Sequence, residues 1–227
     1  MSRYPYLLLD ADHTLFDFNR ADRLAFSATS RYGGFPDTQE MYEAFSRINQ
    51  GLWNQFDQGL ITKEFLVVER FVRFLKAIGS SADPEGCNSV QLESLSRGSF
   101  LLPHAEEVCR TLSRTHQLYI VTNAVASVQK GRLSGSAIAP YIKAAFISEE
   151  AGAGKPDPAY FDYVFSRIDG ITRENCLMVG DSIATDIRGA NNAGLPCCWF
   201  NPNGLKPPAD LRIDYTISDL RELCQIV

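Results

Sequence analysis

The 227-residue chain has 45% hydrophobic and 22% charged residues, a composition typical of a globular protein that buries a full core, which argues against disorder and collagen-like repeats. Its 22 basic and 27 acidic residues give a net charge of −5 without any run of Lys or Arg, so no nucleic acid polymer is expected as a partner. No apolar run approaches the roughly 18 residues of a membrane helix, and none near the N-terminus suits a signal peptide. We therefore expect no membrane partner and a cytoplasmic location.

Short apolar runs along the chain end in polar or small residues and predict strands that are buried on both faces. Helical patterns lie between them, for instance Pro158–Ile168 and Thr185–Ala193, and Gly194 is expected to end the second of these. Strands that alternate with helices predict an α/β fold, a Rossmann-like parallel sheet with helices on both faces. The predicted strands are Tyr6–Asp10, Leu118–Thr122, Ala145–Ser148, Cys176–Gly180 and Leu195–Phe200.

Residues 19–101 interrupt this alternation, because they contain helical patterns and no convincing strand. The predicted organisation is a core of residues 1–18 and 102–227 that carries an inserted all-helical domain of residues 19–101. Asp37 and Glu40 resemble a capping box ahead of an apolar stripe from Met41 to Phe56. A second helix is predicted to begin near Thr62 and to end before the breaker stretch Gly79–Gly86. Its apolar stripe is expected to hold Phe65, Val68, Val72 and Leu75.

Two aspartates follow the first predicted strand. Asp10 and Asp12 are two residues apart, just beyond the carboxyl end of the strand, where open α/β sheets place their ligands. Such a pair suits a division of labour in which one carboxylate attacks as a nucleophile and the other handles a proton, provided that a cation relieves their repulsion. A polar turn after the strand would account for the same two residues.

Three further groups of polar residues follow the later strands. Thr122 and Asn123 could hold an anion with the hydroxyl and the following backbone amides, although Thr122 could also be a simple N-cap. Lys155 lies on a glycine-flanked loop, where it could neutralise a phosphate and a nucleophile together or serve only as a surface charge. Asp181 and Asp186 could offer hard oxygen ligands to Mg²⁺, or could cap a helix and complement its dipole.

The four groups occur in one order, each at or beyond the end of a predicted strand, and in this combination the chain resembles the haloacid dehalogenase-like (HAD) superfamily. The resemblance implies a Rossmann-like catalytic core, and the helical insertion falls between the first and second motifs, where this superfamily has its helical cap domain. The motifs are DADHT at Asp10–Thr14, VTN around Thr122, GKPDP around Lys155 and GDS-x-x-TD at Gly180–Asp186.

The resemblance implies a role for each catalytic residue. Asp10 would be the nucleophile that becomes an aspartyl phosphate, and Asp12 would protonate the leaving alcohol and then activate the hydrolytic water. Thr122 and Lys155 would hold the phosphate and neutralise charge, with Asn123 beside them in the phosphate site. Asp12 argues against the dehalogenases of this fold, whose halide leaving group needs no carboxylate at that position.

The resemblance also implies a Mg²⁺ cofactor. Its ligands would be the carboxylates of Asp10 and Asp181 and the backbone carbonyl of Asp12, and Asp186 would support the site indirectly or through water. Phosphoryl transfer spreads negative charge over the phosphate oxygens, and a metal ion, Lys155 and backbone amides would together stabilise that charge. The implied partner is a small-molecule phosphomonoester.

Beyond the core motifs, the chain resembles the bacterial pyrimidine 5′-nucleotidases of this superfamily. The implied substrate is a nucleoside 5′-monophosphate such as UMP, dUMP or TMP. In the helical insertion, Trp53 could stack on the nucleobase or pack in the core, and Asn49 could pair with a pyrimidine edge. Arg70 is interpreted as a surface charge. The resembling stretches are Asp10–Phe18, Asn49–Trp53, Gly59–Thr62, Arg70–Phe71 and Ile147–Pro156.

Two other functions remain open. The same core chemistry suits a phosphatase or phosphomutase for another small metabolite, such as phosphoglycolate or a sugar phosphate. A regulatory phosphoacceptor module of the response-receiver type also combines strand-end aspartates, a Thr or Ser and a Lys, but such a module is only about one small domain of roughly 120 residues. The D-x-D spacing and the helical insertion both argue against it.

Overall fold

The computed structural model describes residues 3–227, and six strands among them form one sheet. In chain order the strands are β1 (Tyr6–Leu9), β2 (Gln117–Thr122), β3 (Ile142–Ile147), β4 (Cys176–Gly180), β5 (Cys197–Phe200) and β6 (Tyr215–Ile217). Their order across the sheet is β3-β2-β1-β4-β5-β6, and every neighbouring pair is parallel. The chain moves outward from β1 to β3 and then crosses to β4, so the order reverses between β1 and β4. Sheets of this kind bind ligands beyond the carboxyl ends of the strands at that point.

Helices connect the strands, and the last helix follows β6. In chain order they are α1 (Phe18–Gly33), α2 (Gln39–Asp57), α3 (Lys63–Ala77), α4 (Pro84–Ser96), α5 (Ala105–Leu112), α6 (Ala126–Ser134), α7 (Ser148–Ala151), α8 (Pro158–Phe165), α9 (Arg188–Ala193) and α10 (Leu223–Ile226). A π-helical turn at Ile183–Ile187 leads into α9, where the sequence predicts continuous α-helix. Gly194 ends α9 with φ of 72°, a left-handed conformation that glycine adopts without strain, as predicted. None of the helices in the described residues is both long and apolar enough to cross a bilayer.

The sheet is buried on both faces, which confirms the predicted α/β class. Side chains alternate along a strand, so Leu7 and Leu9 belong to one apolar cluster and Leu8 belongs to the other. Residues of α5 and α10 pack in the first cluster, and residues of α8 and α9 pack in the second. Strands covered in this way on both faces have the nearly continuous apolar sequences from which they were predicted.

The strands differ from the prediction by more than one residue only at β3, β5 and β6. β3 begins at Ile142 rather than Ala145, and β5 begins at Cys197 rather than Leu195. β6 was not predicted, because its three residues, Tyr215–Ile217, are too few to give a pattern and its place at the sheet edge requires little apolar sequence. These differences leave the carboxyl ends of β1, β2 and β4, which carry the candidate site, where they were predicted.

The chain divides into two compact units. One contains the sheet, runs up to Phe18 and resumes at Ser99, and the other is Asn19–Gly98. The second unit consists of helices, with no strand among its described residues. Its core is a group of phenylalanines in which neighbouring ring centroids lie 5.0–5.8 Å apart, distances typical of favourable aromatic pairs. These residues are Phe26, Phe35, Phe45, Phe71 and Phe74.

Two predictions for the helical unit are wrong in detail. The N-cap of α2 is Thr38, whose hydroxyl accepts a hydrogen bond of 3.3 Å from the amide of Met41, whereas Asp37 forms an ion pair with Arg23 at 2.7 Å. α4 begins inside the predicted breaker stretch, because Asp83 caps it and Pro84 suits the first turn of a helix. Both segments contain several neighbouring residues that can cap a helix, so the sequence alone did not show which of them does.

The predicted apolar stripe of α3 is wrong at Phe65 and Val72, although Leu75 is buried as predicted. The helix begins after its N-cap Thr62, close to the predicted start, but the side chains of Phe65 and Val72 are exposed, with 46% and 41% of their surface accessible. The buried face instead contains Leu66 together with Phe71 and Phe74 of the phenylalanine core. The run of consecutive apolar residues from Phe65 fits two helix faces, and the aromatic neighbours decide between them.

Arg70 is buried in the helical unit rather than exposed as interpreted from the sequence. Its guanidinium donates hydrogen bonds to the side-chain oxygens of Asn49 at 3.3 Å and Asn88 at 3.0 Å. Burial lowers the pKa of Arg70 to about 10, although the charge of Asp22 acts in the opposite direction. The amide oxygen of Asn49, a candidate for nucleobase pairing, therefore already accepts a hydrogen bond from Arg70.

Candidate active site

The segment after β1 turns sharply and brings two polar side chains together. The amide of Asp10 donates to the carbonyl of Val179 in β4 at 2.8 Å, which ties the end of β1 to its neighbour. The carbonyl of Ala11 then accepts from the amides of both Leu15 and Phe16 at 2.9 Å. The turn places the hydroxyl of Thr14 3.1 Å from Oδ2 of Asp10. The predicted nucleophile thus lies at the carboxyl edge of the sheet with one oxygen beside a hydroxyl.

Lys155 lies next to Asp10 and is almost entirely buried. Its ammonium donates to Oδ1 of Asp10 at 2.6 Å, to Oδ1 of Asp186 at 2.7 Å and to the carbonyl of Val121 at 2.7 Å. An ammonium has three N–H groups, so these contacts account for its full capacity. In this arrangement Lys155 neutralises the nucleophile, and it could bind a phosphate directly only by giving up one of these contacts.

Thr122 and Asn123 lie at the end of β2, and Asn123 holds the lysine loop in place. The side-chain oxygen of Asn123 accepts from the amide of Lys155 at 2.9 Å, and its nitrogen donates to the carbonyl of Lys155 at 2.7 Å. Thr122 is buried, and its hydroxyl accepts from the amide of Ala124 at 3.1 Å. The amide of Thr122 donates to the hydroxyl of Tyr160 at 2.9 Å, a contact that the sequence did not indicate.

Asp181 and Asp186 complete an acidic cluster with Asp10. One carboxylate oxygen of each residue lies within 4.8 Å of one oxygen of the other two. Oδ2 of Asp186 accepts from the amide of Ser182 at 3.0 Å, and Oδ1 of Asp181 lies 3.2 Å from the hydroxyl of Thr14. Three of the four residues predicted at the metal site therefore come together through their carboxylates, whereas the carboxylate of Asp12 has a different partner.

Burial and mutual repulsion raise the pKa values of the acidic cluster. Burial, reinforced by the charge of Asp186, raises the pKa of Asp10 to about 7 even though Lys155 opposes the shift. Burial and the charge of Asp10 raise the pKa of Asp181 to about 6, and burial also raises that of Asp186. Burial alone would lower the pKa of Lys155, but Asp10 and Asp186 outweigh it and raise the pKa above its usual value. Three carboxylates thus lie close together, and Lys155 forms ion pairs with two of them, Asp10 and Asp186.

Comparison with known proteins identifies the family. The profile of haloacid dehalogenase-like hydrolases matches residues 4–194, which include the whole site. The HAD-hydrolase YfnB of Bacillus subtilis is 37% identical over 227 residues, which cover 100% of this chain and 97% of that protein. The chain belongs to the haloacid dehalogenase-like hydrolase family. It is therefore an enzyme of the hydrolase class.

Several relatives within this hydrolase family are similar over nearly their full length. A crystal structure of YfnB bound to magnesium matches with a TM-score of 0.93 and covers 99% of both chains. The pyrimidine 5′-nucleotidase PynA of Streptococcus pneumoniae is 32% identical over 97% of this chain and 93% of its own. The pyrimidine 5′-nucleotidase YjjG of Escherichia coli is 29% identical over 99% of this chain and 98% of its own.

The partner of Asp12 in this hydrolase is a residue that the sequence analysis missed. Nη1 of Arg132, on α6, forms an ion pair with Oδ1 of Asp12, and the arginine side chain is fully buried while that of Asp12 is 24% exposed. The two residues are 120 positions apart, so no local pattern links them. A buried arginine on the helix after the Thr122 motif is a signal that only the fold makes visible.

Gly180 allows Asp186 to approach the end of β4. A Cβ atom at position 180 would collide with the carboxylate of Asp186, which is itself held by Lys155 and the amide of Ser182. Gly180→Ala is therefore expected to destabilise the fold by about 1–3 kcal/mol, the usual cost of overpacking, and to lower activity. Denaturant unfolding measures the change. The control is Gly51→Ala, which has open space in the middle of α2 and should be neutral or stabilising by roughly 0.5–1 kcal/mol. Equal stability of the two variants would contradict the argument.

Proposed function

We propose that this hydrolase is a Mg²⁺-dependent phosphatase that hydrolyses small phosphomonoesters through an aspartyl-phosphate intermediate, with nucleoside 5′-monophosphates as its substrates. The observation that carries the proposal is the pairing of Asp10 with the buried Lys155 at the carboxyl edge of the sheet, beside Asp181 and Asp186. The likeness to two pyrimidine 5′-nucleotidases over nearly the whole chain supports the nucleotide as the substrate class.

The donor set supports magnesium as the cofactor. Carboxylate oxygens are the hard ligands that Mg²⁺ prefers. Asp10, Asp181 and Asp186 each offer one carboxylate oxygen, and these three oxygens are close enough to bind the same ion. The raised pKa values of Asp10 and Asp181 indicate that Lys155 alone does not balance the negative charge of the cluster, which supports a bound cation. Bound there, with the carbonyl of Asp12 as a further ligand, Mg²⁺ would supply positive charge that offsets the charge of the substrate phosphate.

In the first half of the reaction, a carboxylate oxygen of Asp10 attacks the phosphorus atom of the ester. Lys155 keeps the attacking group ionised and fixed through its 2.6 Å hydrogen bond. The bond between phosphorus and the alcohol oxygen breaks, and the carboxyl group of Asp12 gives its proton to that oxygen. The products of this half are the free alcohol and phosphorylated Asp10.

In the second half, water hydrolyses the phosphorylated aspartate. The ionised carboxylate of Asp12 takes a proton from the water as its oxygen bonds to phosphorus. The bond between phosphorus and Asp10 breaks, which releases inorganic phosphate and restores both carboxyl groups. Asn123 keeps the Lys155 backbone in position throughout, because both polar atoms of its side chain bind that backbone.

Phosphate release from a panel of esters tests this function. The panel contains UMP, dUMP, TMP, phosphoglycolate and hexose phosphates, each with and without Mg²⁺. Mg²⁺-dependent release that is fastest with the pyrimidine nucleotides supports the proposal. Faster release from another ester would retain the chemistry and overturn the substrate class, and a stable phosphoprotein without turnover would favour a phosphoacceptor module.

Trp53 offers a separate test of nucleobase recognition. Its ring meets Phe56 edge to face with centroids 5.5 Å apart, and both side chains are only partly buried. If Trp53 stacks on the base, Trp53→Ala raises KM for UMP while KM for phosphoglycolate or p-nitrophenyl phosphate is unchanged. Stacking on an aromatic side chain is worth about 1–3 kcal/mol per base, which corresponds to roughly 5-fold to 150-fold in KM. An equal change for all substrates would mean that Trp53 only packs.

Magnesium is expected to stabilise the folded protein, and more so at high pH. The pKa values of Asp10 and Asp181 are raised in the folded protein without Mg²⁺. Their protonation therefore contributes most to the free energy of unfolding below about pH 4. That contribution is lost as the pH rises through about 6 and 7. Mg²⁺ at about 100 times its Kd should restore roughly 2.7 kcal/mol at pH 8, and less at pH 5 because protons compete for the carboxylates.

Thermal unfolding with and without Mg²⁺ at pH 5 and pH 8 checks this expectation. Asp181→Asn should lose the increment in Tm that Mg²⁺ produces. Asp162→Asn serves as the control, because Asp162 is an exposed carboxylate on α8 that pairs with Arg173 at the surface. An unchanged increment in Asp181→Asn would show that Mg²⁺ binds elsewhere.

A further inference from the structure

Arg132 is a fully buried cation whose ion-pair partner, Asp12, is partly exposed. It comes from α6, and its Nη1 forms an ion pair with Oδ1 of Asp12. A buried arginine is costly unless its charge is compensated, so its position is one that the fold has to maintain. The side chain of Asp12 is 24% exposed, whereas that of Arg132 is fully buried.

The position of the guanidinium is fixed by aromatic and backbone contacts. Its central carbon lies 4.5 Å from the ring centroid of Phe16 and 5.8 Å from that of Phe18, within the range of cation–π attraction. The hydroxyl of Ser99 donates to the backbone carbonyl of Arg132 at 2.7 Å, which holds the residue itself. These contacts hold the arginine in place, so the carboxylate of Asp12 can take its orientation from it.

We propose that Arg132 is a positioning residue for the acid–base group, one that holds the carboxyl of Asp12 by Oδ1 and leaves Oδ2 as the oxygen that carries the proton. The inference rests on the proposed function, in which Asp12 transfers protons. A guanidinium donates equally well to a carboxylate oxygen and to the carbonyl oxygen of a neutral carboxyl group, so it can hold Oδ1 in both protonation states. The same orientation then serves both halves of the reaction.

In this proposal, Oδ2 of Asp12 carries the proton in both halves of the reaction. In the first half, Oδ2 gives its proton to the alcohol oxygen as the bond between that oxygen and phosphorus breaks. In the second half, Oδ2 takes a proton from water as the water oxygen bonds to phosphorus and the bond to Asp10 breaks. If Asp12 loses its orientation, the second step is slowed for every substrate. The first step is slowed only for substrates whose leaving oxygen needs a proton.

Leaving groups of different basicity separate positioning from a purely structural role. A nucleoside leaves UMP as a basic alkoxide that needs protonation, whereas p-nitrophenolate leaves p-nitrophenyl phosphate without it. For Arg132→Gln we expect kcat/KM with UMP to fall about 100-fold, the lower end of what general acid–base catalysis contributes. With p-nitrophenyl phosphate, kcat/KM should fall less than about 10-fold, while kcat falls because hydrolysis of phosphorylated Asp10 is slow.

Pre-steady-state kinetics give a second signature of this role. Arg132→Gln mixed with p-nitrophenyl phosphate should release a burst of about one p-nitrophenolate per active site, followed by slow turnover. Arg132→Lys keeps a cation near Oδ1 and should recover part of the lost rate. In an Asp12→Asn background, Arg132→Gln should cause no further loss, since residues that act through one another are not additive.

Controls keep the result independent of folding. Lys130→Gln removes a cation from the same helix, but Lys130 is 63% exposed and pairs with Glu150 at 2.5 Å, so its kinetics should match those of wild type. The Tm of each variant reports whether it is folded at the assay temperature. If Arg132→Gln does not fold, Arg132→Lys carries the same comparison between the two leaving groups.

The outcomes distinguish this inference from the proposed function. An equal loss of kcat/KM with both substrates and no burst would overturn the role of Arg132, and so would unchanged kinetics in a folded Arg132→Gln. In either case the wild-type enzyme remains an Mg²⁺-dependent phosphatase. An inactive wild-type enzyme would overturn the proposed function and this inference with it. If another alkyl phosphate is hydrolysed faster than UMP, it replaces UMP in the comparison.

Discussion

Asp10→Asn is expected to abolish turnover of every phosphate ester that the wild-type enzyme hydrolyses. The amide of asparagine is a far weaker nucleophile than a carboxylate, and the aspartyl phosphate cannot form on it. The loss should be at least about 10⁴-fold in kcat, as for other enzymes that lose the residue forming their covalent intermediate. Rapid acid quenching with labelled substrate should trap phosphate on the wild-type protein and none on the variant.

The stability of Asp10→Asn should show that this loss is chemical. Burial raises the pKa of Asp10 to about 7, so at pH 8 the folded protein holds this carboxylate ionised at a cost. A neutral amide removes that cost, and Lys155 retains Asp186 as its counter-ion. The Tm at pH 8 without Mg²⁺ should therefore be equal to or higher than that of wild type.

Asp162→Asn, at an exposed position on α8, should change neither activity nor Tm. Substantial turnover by Asp10→Asn would mean that another group attacks the phosphorus.

The sheet and its helices could be predicted because burial on both faces leaves a strong sequence pattern. β1 and β4 consist of nearly uninterrupted apolar residues, and each pattern ends where the strand ends. β6 could not be predicted because a three-residue edge strand leaves no such pattern. The buried face of α3 could not be predicted either, since consecutive apolar residues at its start satisfy more than one face and the choice depends on partners distant in sequence.

The candidate site was predictable in its position and only partly in its contacts. Parallel strands bring their carboxyl ends to one edge, so Asp10, Lys155 and Asp181 could be expected together from their places after strands. The hydrogen bonds of Asn123 to the backbone of Lys155 could not be predicted. An asparagine that binds phosphate would leave the same sequence pattern. The pairing of Asp12 with Arg132 depends on tertiary packing alone.

Lys155→Met is expected to lose both activity and stability. The variant leaves Asp10 and Asp186 buried without their cation and removes a donor from the carbonyl of Val121. Removal of one partner from a buried ion pair costs about 3–5 kcal/mol, which is a large part of the stability of a typical domain. Without the cation the nucleophile also repels the phosphate, so kcat/KM should fall at least about 10³-fold. Denaturant unfolding and phosphate release measure the two effects.

The pH dependence of this destabilisation identifies its cause. Lys155 lowers the pKa values of Asp10 and Asp186 against the effect of burial, so its removal raises both further. The folded variant then favours the protonated carboxyls, and the deficit in the free energy of unfolding should be small at pH 5 and larger at pH 8. Lys143→Met, at an exposed position in β3, should show no deficit at either pH.

The double variant Lys155→Met with Asp186→Asn separates charge from packing. It removes one of the two stranded carboxylates, so part of the stability lost at pH 8 should return. Activity should not return, because Asp10 still lacks the cation that keeps it ionised and in place. A deficit that is the same at pH 5 and pH 8, and that Asp186→Asn does not relieve, would show that Lys155 contributes through packing rather than charge. Recovery of stability without activity would instead establish that the same buried lysine both balances the acidic cluster and activates the nucleophile.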